Sequence, residues 1–134
     1  MSFKTDYWVA TWTTVVTTAG GNANPDTLTK NGRSVSVSSA IPVVGARTIS
    51  VTADTTPTAN TAAEVDINIR ASSDDNPSTF DDGATNIYAS MNLTDADVKT
   101  MSVTPGPSHI KVAVDENASA DAAPIVYIVV TWVD

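Results

Sequence analysis

One histidine, no cysteine and one dense run of aspartates limit the chemistry open to this chain of 134 residues. The histidine is His109. Acid–base catalysis needs an imidazole held against a nucleophile or a carboxylate. His109 instead follows the turn Pro105-Gly106-Pro107 and opens a strand-like run, so it reads as a strand-end residue. The aspartates lie in Asp74-Asp75-Asn76-Pro77-Ser78-Thr79-Phe80-Asp81-Asp82-Gly83. Calcium takes six to eight oxygens, which closely spaced Asp and Asn can supply. Their spacing does not follow the Asp-x-Asp/Asn-x-Asp/Asn-Gly pattern of a calcium loop. The plainer reading is a solvated turn whose side chains bond their own backbone. Asp115-Glu116-Asn117 offers a shorter version of the same cluster. No glycine-rich phosphate loop opens a helix, and no nucleophile elbow occurs. The expectation is a protein that is no enzyme, with no catalytic residue, no cofactor and no metal.

The remaining chemistry is aromatic. Trp8, Trp12 and Trp132, with Tyr7, Tyr88 and Tyr127, raise the question of a stacking platform for sugars. Trp8 and Trp12 share parity about Ala10 and so lie on one face of a strand. Trp and Tyr dominate cores and interfaces, which makes burial the first reading of these rings.

Charge narrows the partners. Seven Lys and Arg against fifteen Asp and Glu give a net charge of −8. That balance argues against a nucleic-acid footprint and against anionic membrane surfaces. No apolar run approaches the ~20 residues of a membrane-spanning helix. Met1-Ser2-Phe3-Lys4-Thr5-Asp6 has no apolar signal core, so the expectation is synthesis in a host cytoplasm without Sec-type export. With no cysteine, neither a disulfide framework nor a thiolate metal site is open.

The elements that must position these residues are strands. Thr occurs 20 times, Val 17 times, Asp 13 times and Glu twice, a bias toward pleated surfaces joined by Asp-rich turns. Eight runs qualify: Tyr7–Thr18, Ser34–Ile41, Arg47–Ala53, Glu64–Ser72, Asn86–Asn92, Val98–Val103, His109–Asp115 and the terminal Pro124–Asp134. The clearest is Glu64–Ser72. There Val65, Ile67, Ile69 and Ala71 alternate with Glu64, Asp66, Asn68 and Arg70, predicting a buried face and an exposed one. Val35 and Val37 alternate with serines in the second run. The terminal run is apolar on both faces, which predicts burial on both sides. Thr94-Asp95-Ala96-Asp97 could make one helical turn with Thr94 as its cap. Asn31-Gly32 and Asp82-Gly83 sit where strands begin, not as two-residue links between strands. The fold class is therefore all-β: one antiparallel β-sandwich domain over 1–134, jelly-roll or Greek-key like, of about eight strands, with residues 1–6 as a short N-terminal arm.

From Arg33 to Trp132 the chain resembles the small β-sandwich structural proteins of tailed-phage virions. The resemblance rests on Val65-Asp66-Ile67-Asn68-Ile69-Arg70-Ala71-Ser72-Ser73-Asp74-Asp75 with Phe80 beyond it, and on Pro105-Gly106-Pro107-Ser108-His109-Ile110-Lys111-Val112. The family's Ser-x-Asp-Gly and Asn-Trp stand here as Asp75-Asn76 and Phe80. The resemblance implies a virion protein, a capsid decoration or cement protein or a head–tail accessory. Its partner would be a major capsid protein or another virion protein. Such a protein cements by binding the assembled lattice in preference to the free subunit. The end strands further suggest a homo-oligomer, for which the resemblance implies a trimer. A carbohydrate- or receptor-binding sandwich at a tail tip or head fibre is the alternative.

Overall fold

The computed structural model describes residues 2–12, 24–56, 64–72, 87–94, 96–116 and 123–133. Among these residues all of the regular structure is β. Ten strands form, in chain order β1 (Phe3–Thr11), β2 (Thr27–Lys30), β3 (Arg33–Ser34), β4 (Ile41–Pro42), β5 (Thr48–Asp54), β6 (Glu64–Ser72), β7 (Ala89–Thr94), β8 (Val98–Val103), β9 (His109–Glu116) and β10 (Ile125–Val133). They make two antiparallel sheets. One has six strands in the order β3-β2-β1-β10-β5-β8, the other four in the order β4-β9-β6-β7.

The pairings are nested. First pairs with last (β1 with β10), then β4 with β9, β5 with β8, and β6 with β7. The chain is thus one long hairpin, doubled back after β6 and rolled into two layers, with β2 and β3 added as a small hairpin at one edge. This is jelly-roll-like connectivity. Seven of the eight runs expected from sequence coincide with strands of the roll, and β4 and the added hairpin of β2 and β3 are not among those runs.

Period-two side chains fill the space between the layers. The large sheet contributes Trp8, Ala10, Leu28, Ile49, Val51, Val126, Ile128 and Val130, and the small sheet Leu93, Val65, Ile67, Ile69, Ile110, Val112 and Val114. The inward parity expected for Val65, Ile67 and Ile69 holds, and all three are fully buried.

Several expectations need correction. Pairing begins at Phe3, opposite Val133, so residues 3–6 belong to β1 and not to an arm. The far end of the expected first strand falls in 13–23, outside the described residues, as does Asn86. The Ser34–Ile41 run is not one strand: Ser34 ends β3, Ile41 opens β4, and 35–40 between them are not strand. Between β3 and β4 the Ser39 N–H donates to the Ser36 carbonyl at 3.0 Å, and the Ser36 and Ser38 hydroxyls bond each other. Serine side chains offer the backbone partners other than a ladder, and the chain uses this stretch to cross between sheets. No helical turn forms at the described residues of 94–97. Thr94 ends β7, and Asp97 accepts from the Val98 N–H at 2.8 Å.

Asn31-Gly32 is a two-residue hairpin link after all. Lys30 pairs with Arg33 across it, and both link residues have positive φ, 51° and 82°. That is the type I′ geometry that twisted strands favour. Nothing lies within 4 Å of a Cβ built on Gly32, so backbone conformation alone selects glycine there. Gly32→Ala is expected to lower stability by about 1–2 kcal/mol, the cost of left-handed backbone in an L-residue. A urea midpoint unchanged from wild type would contradict this.

Candidate interaction surface

The large sheet carries the surface with most to explain. Its register fixes which side chains share the outer face. Phe3, Thr5, Tyr7, Val9 and Thr11 of β1 lie opposite Val133, Thr131, Val129, Tyr127 and Ile125 of β10. Beyond β10, the outward positions of β5 and β8 are Thr48, Ser50, Thr52 and Asp54, then Val98, Thr100 and Ser102. Beyond β1 come Thr27, Thr29 and Ser34. Asp54 is the single charged residue among these positions. Its carboxylate is turned to its own chain, where it accepts from the Thr56 N–H at 2.8 Å and the Thr56 hydroxyl at 2.6 Å.

In the middle of this neutral field, apolar and aromatic groups face outward. Phe3 is 54% exposed, Tyr7 57% and Tyr127 40%. Val133 and Val98 are also exposed, and Val9, Val129 and Ile125 are half-buried by their neighbours. Tyr7 lies opposite Val129 and Tyr127 opposite Val9, so the two tyrosines are diagonal neighbours. Arg47 lies over the Phe3 ring at one corner, 5.5 Å from its centroid. Hydroxyls on the face partly satisfy one another: Thr52 bonds Thr100 at 2.8 Å, and Thr11 bonds Thr27. The terminal strand is therefore not buried on both sides. Val126, Ile128 and Val130 face the core, while Tyr127 and Val133 are open.

The face is braced from below. Asp6, inward and 4% exposed, meets the Lys30 ammonium at 3.8 Å and accepts from the Asn31 side-chain amide at 3.1 Å. Asn31 also accepts from the Tyr7 N–H at 2.8 Å. The β2–β3 turn is thus tied to β1 directly beneath Tyr7. Lys30 lies 5.5 Å over the Trp8 ring, and Lys4 stands at the same distance over Trp132. The Trp132 indole donates to the Val44 carbonyl at 2.9 Å.

The small sheet is different outside. Asn68 and Arg70 of β6 are each 2% exposed, and Lys111 and Ala113 of β9, their ladder partners, are buried too. The face expected in water is buried at Asn68 and Arg70 and half-buried at Asp66. Alternation showed correctly that it is polar, but not whether it is capped. At the rim, Ala71, Ser72, Tyr88, Gly106 and Pro107 line a shallow groove of about 360 Å³. The Tyr88 hydroxyl donates to the Thr104 carbonyl at 2.8 Å.

The candidates taken from sequence divide accordingly. His109 opens β9, half-buried, with its Nδ1 2.9 Å from the Ser108 hydroxyl, itself bonded to the Ser72 carbonyl at 3.1 Å. Asp74–Gly83 and Asn117 lie outside the described residues, and Asp115 and Glu116 end β9. Among the described residues no three His, Cys, Asp or Glu side chains group as a metal site. Trp8 and Trp12 are core residues, as the plainer reading had it. Among the described residues the exposed rings are Phe3, Tyr7, Tyr88 and Tyr127, three of them on one sheet face. Sequence parity could have paired Phe3 with Tyr7, but joining them to Tyr127 requires the β1–β10 register.

No protein-family model and no curated protein matches the chain. Among solved structures it is similar to one described as PRD1 vertex protein P5. That similarity covers 96% of this chain and 97% of the other, at a TM-score of 0.51 and 9% identity. At such identity the likeness is one of fold. A second similarity, to a structure described as the cyanophage Pam1 capsid asymmetric unit, covers 98% of this chain and 86% of the other at 21% identity. Its TM-score of 0.38 carries no argument.

Proposed function

We propose that the protein is a structural component of a phage virion, a decoration or cement protein that attaches to the assembled capsid as a homo-oligomer. The observation that carries this reading is the fold shared over nearly the whole chain with a protein described as a vertex protein. The resemblance of the Val65–Asp75 and Pro105–Val112 segments points the same way. The surface chemistry suits the role, because a neutral field of hydroxyls and aromatic rings favours a fixed protein contact. The protein would act by binding, with no turnover, and its effect on the shell would follow from mass action: a ligand of the assembled state stabilises that state. It would be made in the host cytoplasm and end in the virion, with a major capsid protein or another virion protein as its partner.

The test is co-sedimentation with mature shells of the phage that encodes it. Binding should saturate at a fixed number of copies per shell, free capsid subunits should not bind, and the decorated shell should melt higher. A protein missing from purified virions and indifferent to their shells would end the reading. The alternative, a sugar- or receptor-binding module, is favoured by one observation: Phe3, Tyr7 and Tyr127 are exposed on one face. Glycan-array binding lost in Tyr7→Ala would move the assignment there.

A further inference from the structure

We propose that the outer face of the six-stranded sheet is where two copies of this chain pack against each other, sheet to sheet, around a two-fold axis centred on β1 and β10. This rests on the oligomeric part of the reading above and not on attachment to a capsid.

Charge is the first argument for a second copy as the occupant. The chain carries a net −8, so two copies repel over most of their surface. On this face the outward strand positions hold one carboxylate, Asp54, already engaged with Thr56. Like-charge repulsion between copies is therefore low across this face. A basic partner drawn by the acidity of the molecule would be steered elsewhere.

Area is the second. Strands ~4.8 Å apart with ~3.3 Å per residue make this sheet on the order of 600 Å² in projection, and side-chain relief raises that toward the ~800 Å² each partner buries in a standard interface. The six strands lie in one layer, and two such layers stack ~10 Å apart in sandwiches.

Composition is the third. Tyr7, Tyr127 and Phe3 lie on the two central strands, and Thr and Ser positions surround them. This is the arrangement of an interface core within a polar rim. The Thr52–Thr100 and Thr11–Thr27 hydroxyl pairs already bond within the sheet, which lowers the cost of covering them. A face that meets its own copy is self-complementary, and the closed solution is two-fold.

The first test uses the unaltered chain. The chain has three tyrosines, and Tyr88 lies by the rim groove, away from this face, with an exposure close to that of Tyr127. At high micromolar concentration, light scattering should give about twice the 13.9 kDa of the chain. Hydroxyl-radical footprinting of that sample should modify Tyr7 and Tyr127 several-fold more slowly than in a dilute one, with Tyr88 unchanged. Tyr7→Glu combined with Tyr127→Glu should give a folded monomer, whereas Ile87→Glu, beside Tyr88, should leave the dimer intact. An oligomer whose Tyr7 and Tyr127 stay as reactive as in the dilute sample overturns the assigned face but leaves the oligomer. A trimeric mass overturns the two-fold pairing. A monomer at high concentration overturns both face and oligomer, and shell binding is then judged by its own assay.

Discussion

Ile67→Ala is expected to remove about 2–5 kcal/mol of unfolding free energy, through lost transfer energy and the cavity left behind. Ile67 sits in the middle of β6, between Met91 of β7 and Val114 of β9, and is fully buried. Neighbours on both sides are held by ladders, so the site cannot collapse to fill the gap. Against a total stability of about 5–15 kcal/mol this is a large fraction. The urea midpoint should fall with the slope unchanged, because the loss lies in packing and not in the compactness of the unfolded chain. Ile67→Val, which removes one methyl group, should cost about 0.5–1.5 kcal/mol. Ser102→Ala, on the exposed face of edge strand β8, should stay within about 0.5 kcal/mol of wild type. An Ile67→Ala midpoint matching that of Ser102→Ala would mean that this face of β6 does not line the core.

The same strand shows how far sequence reaches. Glu64–Ser72 is delimited from sequence to the residue, because its strict alternation fixes parity and length, and Val98–Val103 is delimited likewise by the turn residues that flank it, Asp97 before and Pro105 after. Alternation says that Asn68 and Arg70 share a face. It carries no information about what covers that face, and both are buried. The terminal strand fails in the opposite sense. Its unbroken apolar run resembles a strand buried on both sides, yet Tyr127 and Val133 stand open. Local sequence cannot distinguish a face covered within the chain from one left for something outside it.

Long-range register explains the other misses. Thr27–Lys30 follows the breakers Asn24, Pro25 and Asp26 and reads as loop until its ladder with Trp8–Thr11 is seen. Once it is a strand, Asn31-Gly32 becomes the link of a hairpin. The candidate surface has the same origin. Phe3 and Tyr7 are near in sequence, but Tyr127 joins them only because first and last strands pair.

That pairing makes Trp8 the position where the largest loss from one side chain is expected. It is 4% exposed, lies between Ile128 of β10 and Lys30 of β2, and carries the Lys30 ammonium over its ring. Trp8→Ala should cost about 3–5 kcal/mol from cavity and transfer terms. The loss of the cation–π contact adds on the order of 0.5–1 kcal/mol. Trp8→Phe separates the ring from its N–H. The indole nitrogen is buried and has no hydrogen-bond partner among the described residues. Leaving such a donor unsatisfied costs roughly 1–3 kcal/mol, which phenylalanine relieves. That relief offsets most of the area and volume lost on going to the smaller ring, so the expected net cost of Trp8→Phe is below about 2 kcal/mol. Equilibrium unfolding of the two variants in urea, followed by far-UV circular dichroism because one fluorophore is removed, measures both. If Trp8→Phe costs as much as Trp8→Ala, no unsatisfied donor is relieved, and the indole N–H is bonded in solution.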